Sequence, residues 1–319
     1  MDSSSKASPY PRIGIVGVGH LGRHHARVAS QSSASVGGIF DIDEPRAYQV
    51  ASELGIRVFS TLDELLDHSD AVVVATPAAS HFATARIALE ERKHCLVEKP
   101  LVTDPVAADT LVSLARRHDL VLAVGHSERF NPALEHADQF IRNPLYVEVT
   151  RVAPFPGRGA DVDVVKDLMV HDLEIVLHWM GSDPVEMRAV GVALVTDKVD
   201  MANVRLEFAH GQVATLTASR ASPAPMRVIR VFQRGGYASV DMGTQKIRFV
   251  RQTAEGLTTE ETVVEGPEPL KAELDDFLEA VRTGARPRVS GEDGARVLRL
   301  AHDIVAHIDS RLSRLGASR

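Results

Sequence analysis

From Arg12 to Val124, short apolar runs alternate with segments whose apolar residues recur every three or four positions. The pattern predicts strands at Arg12–Val16, Ser35–Phe40, Ala71–Ala75, His94–Val97 and Leu120–Val124. Helices are predicted at Leu21–Ser30, Glu44–Leu54, Ser80–Glu90 and Asp104–His118. Strand followed by helix across short connections implies a parallel sheet covered on both faces. Ala71–Ala75 and Val121–Val124 are continuously apolar, as strands buried on both sides are.

Beyond Gly125 the pattern changes. Apart from a helix at Asp167–Met180, alternating runs predict strands at Tyr146–Val152, Glu186–Leu194, Ala202–Phe208, Val213–Ser219, Arg227–Gln233, Tyr237–Asp241 and Lys246–Arg251. Turn residues at His210-Gly211 and Gly235-Gly236 separate neighbouring runs. Helical spacing returns near the end, at Leu274, Phe277, Leu278 and Val281, then Val297, Leu298, Ala301 and Ile304. The expected fold class is α/β: an N-terminal domain with a doubly wound parallel sheet of the Rossmann type, residues 1–126, and a C-terminal α+β domain with a large, mostly antiparallel sheet, residues 127–319. The C-terminal helices are candidates to pack back on the first domain.

Length and composition fit two globular domains: 319 residues, 44% hydrophobic and 25% charged. A formal net charge of −7 argues against nucleic acid or anionic lipid as partners, because both require excess Lys and Arg. No run approaches the roughly 20 apolar residues of a membrane span. The Ser- and Pro-containing stretch Met1–Pro11 has no apolar signal core and reads as a frayed leader. The single cysteine, Cys95, lies in an apolar run and reads as a small packed hydrophobe in a reducing, cytoplasmic protein.

Gly17-Val18-Gly19-His20-Leu21-Gly22 leaves a predicted strand and opens a predicted helix, the context in which G-x-G-x-x-G cradles a pyrophosphate. Gly17 serves the tight turn, Gly19 the close approach of backbone to ligand, and Gly22 the packing of helix on strand, with helix N–H groups facing the anion. Asp41 ends the second strand 19 residues after Gly22, close to the ~20 expected of a carboxylate binding the ribose hydroxyls. That carboxylate favours NAD over NADP, and Arg46 softens the preference. Alone, the glycines fit a plain strand-to-helix turn and Asp41 a solvated turn acid.

Thr76-Pro77 and Glu98-Lys99-Pro100 end the next two strands, where ligands of open parallel sheets bind. Lys99 is the candidate to hydrogen-bond a substrate alcohol and stabilise its oxygen as hydride leaves; the plain alternative is a surface lysine before a turn. At ~100° per residue, Asp167, His171, Glu174 and His178 share a sector of about 60° on an otherwise apolar helix, a stripe suited to lining a cleft. His171 suits a general base near neutrality, oriented by Asp167 at i,i+4. A hydrogen-bonded core histidine is the plain alternative. A metal site from His171, Glu174 and His178 departs from the H-E-x-x-H spacing, and no metal is expected.

These motifs, with His81, Val124-Gly125-His126, Arg129-Phe130-Asn131-Pro132 and Asp167-Leu168-Met169-Val170-His171-Asp172, resemble the Gfo/Idh/MocA family of nicotinamide-dependent oxidoreductases over nearly the whole chain. The resemblance implies that Lys99, Asp167 and His171 are catalytic. It places Gly17 to Gly22, Asp41, Thr76, Pro77, His81, Glu98, Lys99, Pro100 and Glu128 at NAD. Lys99, Arg129, Asn131, Arg158, Asp167 and His171 then face substrate, and the α+β domain binds substrate and builds dimers or tetramers. Phe155 to Met169 resembles a subgroup oxidising the 3-hydroxyl of UDP-N-acetylglucosamine, whose 3-keto product feeds an aminotransferase in lipid A-type glycolipid synthesis. Arg129, Arg151 and Arg158 are candidates to pair with the diphosphate. The alternatives are a dehydrogenase of another sugar, a uronate or a cyclitol, an enzyme using transient oxidation to enable another reaction, and a non-catalytic NAD-binding regulator.

Overall fold

The computed structural model describes residues 11–32, 35–155, 157, 162–314 and 316. It divides into two compact units: one takes the chain to Ser127 together with Glu268–Leu298, the other Glu128–Pro267 together with the chain from Arg299.

The first unit holds a five-stranded parallel sheet in the order β2-β1-β3-β4-β5, formed by β1 (Arg12–Val16), β2 (Ser35–Phe40), β3 (Ala71–Val74), β4 (His94–Glu98) and β5 (Leu122–Gly125). Every residue of β3 and β5 is buried, which is why their sequences are apolar without alternation. The helices between strands are α1 (His20–Ser30), α2 (Glu44–Leu54), α3 (Leu62–Asp67), α4 (Ala78–Glu90) and α5 (Pro105–Arg117). Asp43 and Asp104 cap α2 and α5 by accepting the N–H groups of Arg46 and Ala107. The chain leaves β1 toward β2 on one side and β3 toward β4 on the other, so the β1/β3 pair is the topological switch point where such sheets take ligands.

The C-terminal α8 (Pro269–Thr283) and the start of α9 (Gly291–Arg314) complete this unit. Leu274, Phe277 and Leu278 join Ile13, Ile15, Ala26 and Ile39 in one core, and Val124 N–H donates to Val289 O at 3.0 Å beside β5. Cys95 is buried, and burial pushes its thiol pKa up, so it behaves as a packed hydrophobe.

The second unit is built on an eight-stranded sheet: β6 (Pro144–Val152), β7 (Pro184–Val192), β8 (Met201–Phe208), β9 (Val213–Ser219), β10 (Met226–Gln233), β11 (Gly236–Asp241), β12 (Lys246–Thr253) and β13 (Gly256–Val263), in the order β13-β12-β11-β10-β6-β9-β8-β7. All neighbours are antiparallel except β6 and β9. That one parallel pair follows from the long crossover carrying α7 (Val170–Met180) and the β7-β8 hairpin. A short α6 (Pro132–Asp138) precedes the sheet.

One expectation fails in α7. Val165–Met169 forms a π-helical turn ahead of it, so a uniform 100° wheel from Asp167 to His178 does not describe the segment. Asp167 and His171 are half-buried, Glu174 is buried and His178 is exposed. Within α7, Glu174 and His178 share a face, both turned to the Arg129 guanidinium.

Candidate active site

In the first unit the turn after β1 shows why each glycine is needed. Gly17 has φ +85°, and a Cβ there would lie 2.9 Å from the Ala75 carbonyl carbon and oxygen and from the Thr76 nitrogen. A Cβ on Gly22 would lie 1.9 Å from Gly17 O, so only glycine lets α1 start so close to the strand. A Cβ on Gly19 would instead point into open space. Gly19 is also the N-cap of α1, without a side-chain cap, so the first N–H groups of the helix keep their affinity for an anion. His20 and Leu21 are exposed beside it.

Asp41 closes this turn. Its carboxylate accepts Val18 N–H at 2.7 Å and Asp43 N–H at 2.9 Å, is buried, and has the Arg46 guanidinium 3.6 Å away. At the end of β3 the Thr76 hydroxyl is buried without a hydrogen-bond partner, an orphan polar atom at the carboxyl edge of the sheet. An open cradle at Gly19, uncapped helix N–H groups, an acid at the second strand and an orphan hydroxyl fit a dinucleotide. Gly17 to Gly22, Asp41 and Thr76 are the residues that would hold it. A cavity of about 300 Å³ lined by His94, Arg116, Ser290 and Glu292 lies at the opposite, amino end of β4 and contains none of these residues.

Other first-unit residues are placed differently from the expectation. Both His81 ring nitrogens stand 2.8 Å from carbonyl oxygens, of Thr76 and of Pro100, so His81 ties the β3 and β4 end loops together and has no ring nitrogen left for NAD. Glu98 is buried, accepting from His25 Nε2 at 2.7 Å and from Lys99 N–H at 3.1 Å, so each of its oxygens has a partner within the protein. Lys99 is half-buried and joined to Pro100 by a cis peptide. His126 is buried, and burial lowers its pKa to about 4, with the Lys99 charge adding to the effect. Near neutrality His126 therefore adds no second positive charge beside Lys99.

In the second unit the arginines are committed to the protein's own acids. Arg151 makes a fork to Asp172, its NH2 at 2.8 Å and its Nε at 2.9 and 3.1 Å from the carboxylate oxygens, and bonds Glu128 at 3.1 Å. Burial lowers the Arg151 pKa, but the two acid charges and their hydrogen bonds outweigh it and raise it overall. This corrects the expectation of Arg151 as a diphosphate partner. Glu128 bridges Arg151 and, at 2.9 Å, Arg227, so it has a structural occupation where cofactor contact was expected. Arg129 is buried, donates to Asp138 at 3.0 Å, and contacts His178 Nε2, with Glu174 4.0 Å away. Its guanidinium is matched within the unit, and Glu174 and His178 face a cation. Asn131 caps α6 by accepting Ala133 N–H at 3.0 Å and donates to Met242 O at 3.2 Å, which accounts for its conformation without substrate. Arg158 lies outside the described residues.

The sequence reading did not single out His25 or Glu273, which lie beside Glu98. His25 follows His20 and His24 in sequence, and nothing local singles it out. Among the described residues, His25, Glu98 and Glu273 form the group of acids and histidines whose potential ligand atoms lie within 4.8 Å of one another.

A glycine cradle at the switch point, an acid after β2 and a lysine after β4 define a dinucleotide-binding oxidoreductase domain. A family model described as an oxidoreductase family with an NAD-binding Rossmann fold matches residues 11–126, and the Gfo/Idh/MocA C-terminal domain model matches residues 157–239. The chain is 40% identical over 310 residues to UDP-N-acetylglucosamine 3-dehydrogenase of Acidithiobacillus ferrooxidans, covering 95% of this chain and 99% of that one. A solved structure of that enzyme superposes with a TM-score of 0.91 over the same shares of the two chains. Scyllo-inositol 2-dehydrogenase (NAD(+)) of Bacillus subtilis is 29% identical over 308 residues, 88% of this chain and 89% of the relative. The chain belongs to the Gfo/Idh/MocA family of NAD-binding oxidoreductases. Among the described residues no helix is long and apolar enough to cross a membrane.

Proposed function

We propose that the protein oxidises a sugar hydroxyl to a ketone, with the 3-hydroxyl of UDP-N-acetylglucosamine as its substrate. The observation that carries this reading is 40% identity to an enzyme of that activity along almost the full length of both chains. Lys99, at the carboxyl end of β4, donates a hydrogen bond to the substrate oxygen and holds it as it becomes a carbonyl. His171 accepts the hydroxyl proton, and Asp167 orients His171 or a neighbouring hydroxyl. Bound NAD supplies the hydride acceptor for the carbinol carbon. The 3-keto sugar is chemically suited to an amino-transfer step, the kind of reaction that makes a 3-amino sugar for glycolipid synthesis.

We extend the proposal to a homo-oligomer, in the reducing cytoplasm that the single free, buried Cys95 fits. The support for association is the run of exposed apolar residues Val190, Val192, Leu194 and Val195 on and just beyond the edge strand β7.

The test is the absorbance of reduced nicotinamide on mixing protein, NAD and a panel of UDP-sugars, inositols and uronates, with mass spectrometry of the product. A signal with UDP-N-acetylglucosamine and a product two hydrogens lighter is expected. A signal with inositols alone would move the assignment to a cyclitol dehydrogenase. NAD binding with no turnover of any compound would make the protein a regulator.

A further inference from the structure

A buried ionisable cluster lies behind the Lys99 turn, within the first unit, and hydride transfer does not require it directly. His25 comes from α1, Glu98 from the end of β4 and Glu273 from α8; they are 0%, 6% and 2% exposed. Glu98 is engaged on both oxygens, by His25 Nε2 and by Lys99 N–H. Its backbone also packs tightly: a Cβ on Gly125 would lie 3.0 Å from the Glu98 carboxylate and 3.1 Å from its Cα. Both carboxylate oxygens of Glu273 are buried without a hydrogen-bond partner, as is His25 Nδ1, whereas both oxygens of Glu98 are bonded.

Two ionised carboxylates cannot share so dry a space, and the observed bonds decide which of them keeps the charge. Burial alone would raise the pKa of Glu98, but the His25 hydrogen bond and charge, together with the Lys99 N–H, bring it below the usual value. Glu273 has no such support. Burial, then the Glu98 charge, then Asp276 one turn along α8 push its pKa well above the usual carboxylate range. Asp276 is itself paired with Arg288. A metal is the other way to satisfy this set of donors. Ligands on ~2.1 Å bonds to one ion stand roughly 3 Å or more apart, whereas His25 and Glu98 are 2.7 Å apart, a hydrogen-bond distance.

We propose that Glu273 is a positioning residue for the Lys99 turn: a neutral carboxylic acid presented by α8 toward Glu98, which keeps the Glu98 carboxylate ionised and turned to His25 and the Lys99 N–H. The proton stays on Glu273 and no bond is made or broken. α8 thereby sets a buried acid within 4.8 Å of the carboxylate that holds the Lys99 N–H. The catalytic consequence rests on the reading of Lys99 as a catalytic residue.

Four measurements on the full-length protein test this. Difference infrared spectra at neutral pH, wild type minus Glu273→Gln, are expected to show the carbonyl stretch of a buried protonated acid; no such band overturns the proposal. A carboxyl group with a raised folded pKa gives full stabilisation below its unfolded pKa and loses it as pH rises toward the folded one. Tm should therefore fall from acid to alkaline pH more steeply in the wild type than in Glu273→Gln. Parallel curves overturn the proposal.

Glu273→Ala should lower kcat by about 10- to 100-fold with the Kd for NAD within threefold, and Glu273→Gln should restore kcat. Equal losses in both variants would mean that charge, not a neutral group of this shape, is needed, and would overturn it. So would a stoichiometric divalent metal present in the wild type and lost in Glu273→Gln. A fully active Lys99→Ala would remove the catalytic consequence alone, while the infrared band would still decide where the proton sits.

Discussion

Asp41 Oδ2 accepts the Val18 N–H at 2.7 Å, so the acid after β2 shapes the glycine turn whose ligand it is placed to bind. Asp41→Ala should act twice, by loosening the turn and by removing the ribose acceptor. A hydrogen bond to a charged group contributes about 1.5–3 kcal/mol, so NAD affinity should fall at least about tenfold. NADP should lose less, because the carboxylate that repels a 2′-phosphate is gone while Arg46, paired with Asp43 at 2.6 Å, still stands beside the site. Titration of the variant with both cofactors checks this; an unchanged NAD/NADP ratio would remove Asp41 from the ribose site.

Gly22→Ala should damage the fold and NAD binding together. Its Cβ would lie 1.9 Å from Gly17 O, a backbone atom of the same tight turn, so either α1 or the turn must move. Such overpacking typically costs 1–3 kcal/mol, which predicts a Tm several degrees lower and weak NAD binding. Gly19→Ala meets nothing in the protein and should leave Tm near wild type while still weakening NAD. Thermal melts with and without NAD separate the two effects.

Lys99→Ala and His171→Ala should each reduce kcat by about 10² or more with NAD affinity within a few-fold, as expected of groups that act in the transition state. Stopped-flow hydride transfer measured alongside fluorescence titration of NAD checks both quantities. Full activity in either variant would remove that residue from the mechanism.

Much of this was legible in the sequence for a physical reason. Strands buried on both faces must be apolar throughout, which is why β3, Ala71–Val74, was legible to within one residue. Three elements escaped. In α3 the Thr61 hydroxyl accepts Glu64 N–H, a capping signal present in the sequence but outweighed by the short length of the helix. α6 likewise opens on Asn131-Pro132, a cap followed by a first-turn proline. β13 is exposed along its whole length, so it carries no alternation to read. The π-turn at Val165–Met169 broke the helical wheel because a wheel assumes one period. Arg129 and Arg151 looked available for a diphosphate because a sequence does not show that Asp138 and Asp172 meet them first. Pairing of His25 with Glu98, and their closeness to Glu273, depends on strands and helices far apart in the chain.

Asp200 offers a stability test away from the chemistry. One oxygen accepts three backbone N–H groups, from Leu194, Val195 and Thr196, at 2.7–2.9 Å, and the other accepts from Arg220 Nε at 2.8 Å. Burial alone would raise the pKa of Asp200; these N–H groups and Arg220 outweigh it and hold it far below the usual carboxylate range. A carboxyl group with a depressed folded pKa contributes stability above its unfolded pKa, near ~4, and loses it as pH falls toward the folded one. The wild type should therefore lose Tm progressively below about pH 4, and Asp200→Asn should show a flatter acid limb. The amide offers one acceptor oxygen where the carboxylate offered two, and it removes the charge that faces the fully buried Arg220. At neutral pH the variant should be less stable by on the order of 3 kcal/mol. Melts from pH 3 to 8 check both the slope and the offset; equal acid slopes in the two proteins would show that the turn 194–196 is not held by the Asp200 charge.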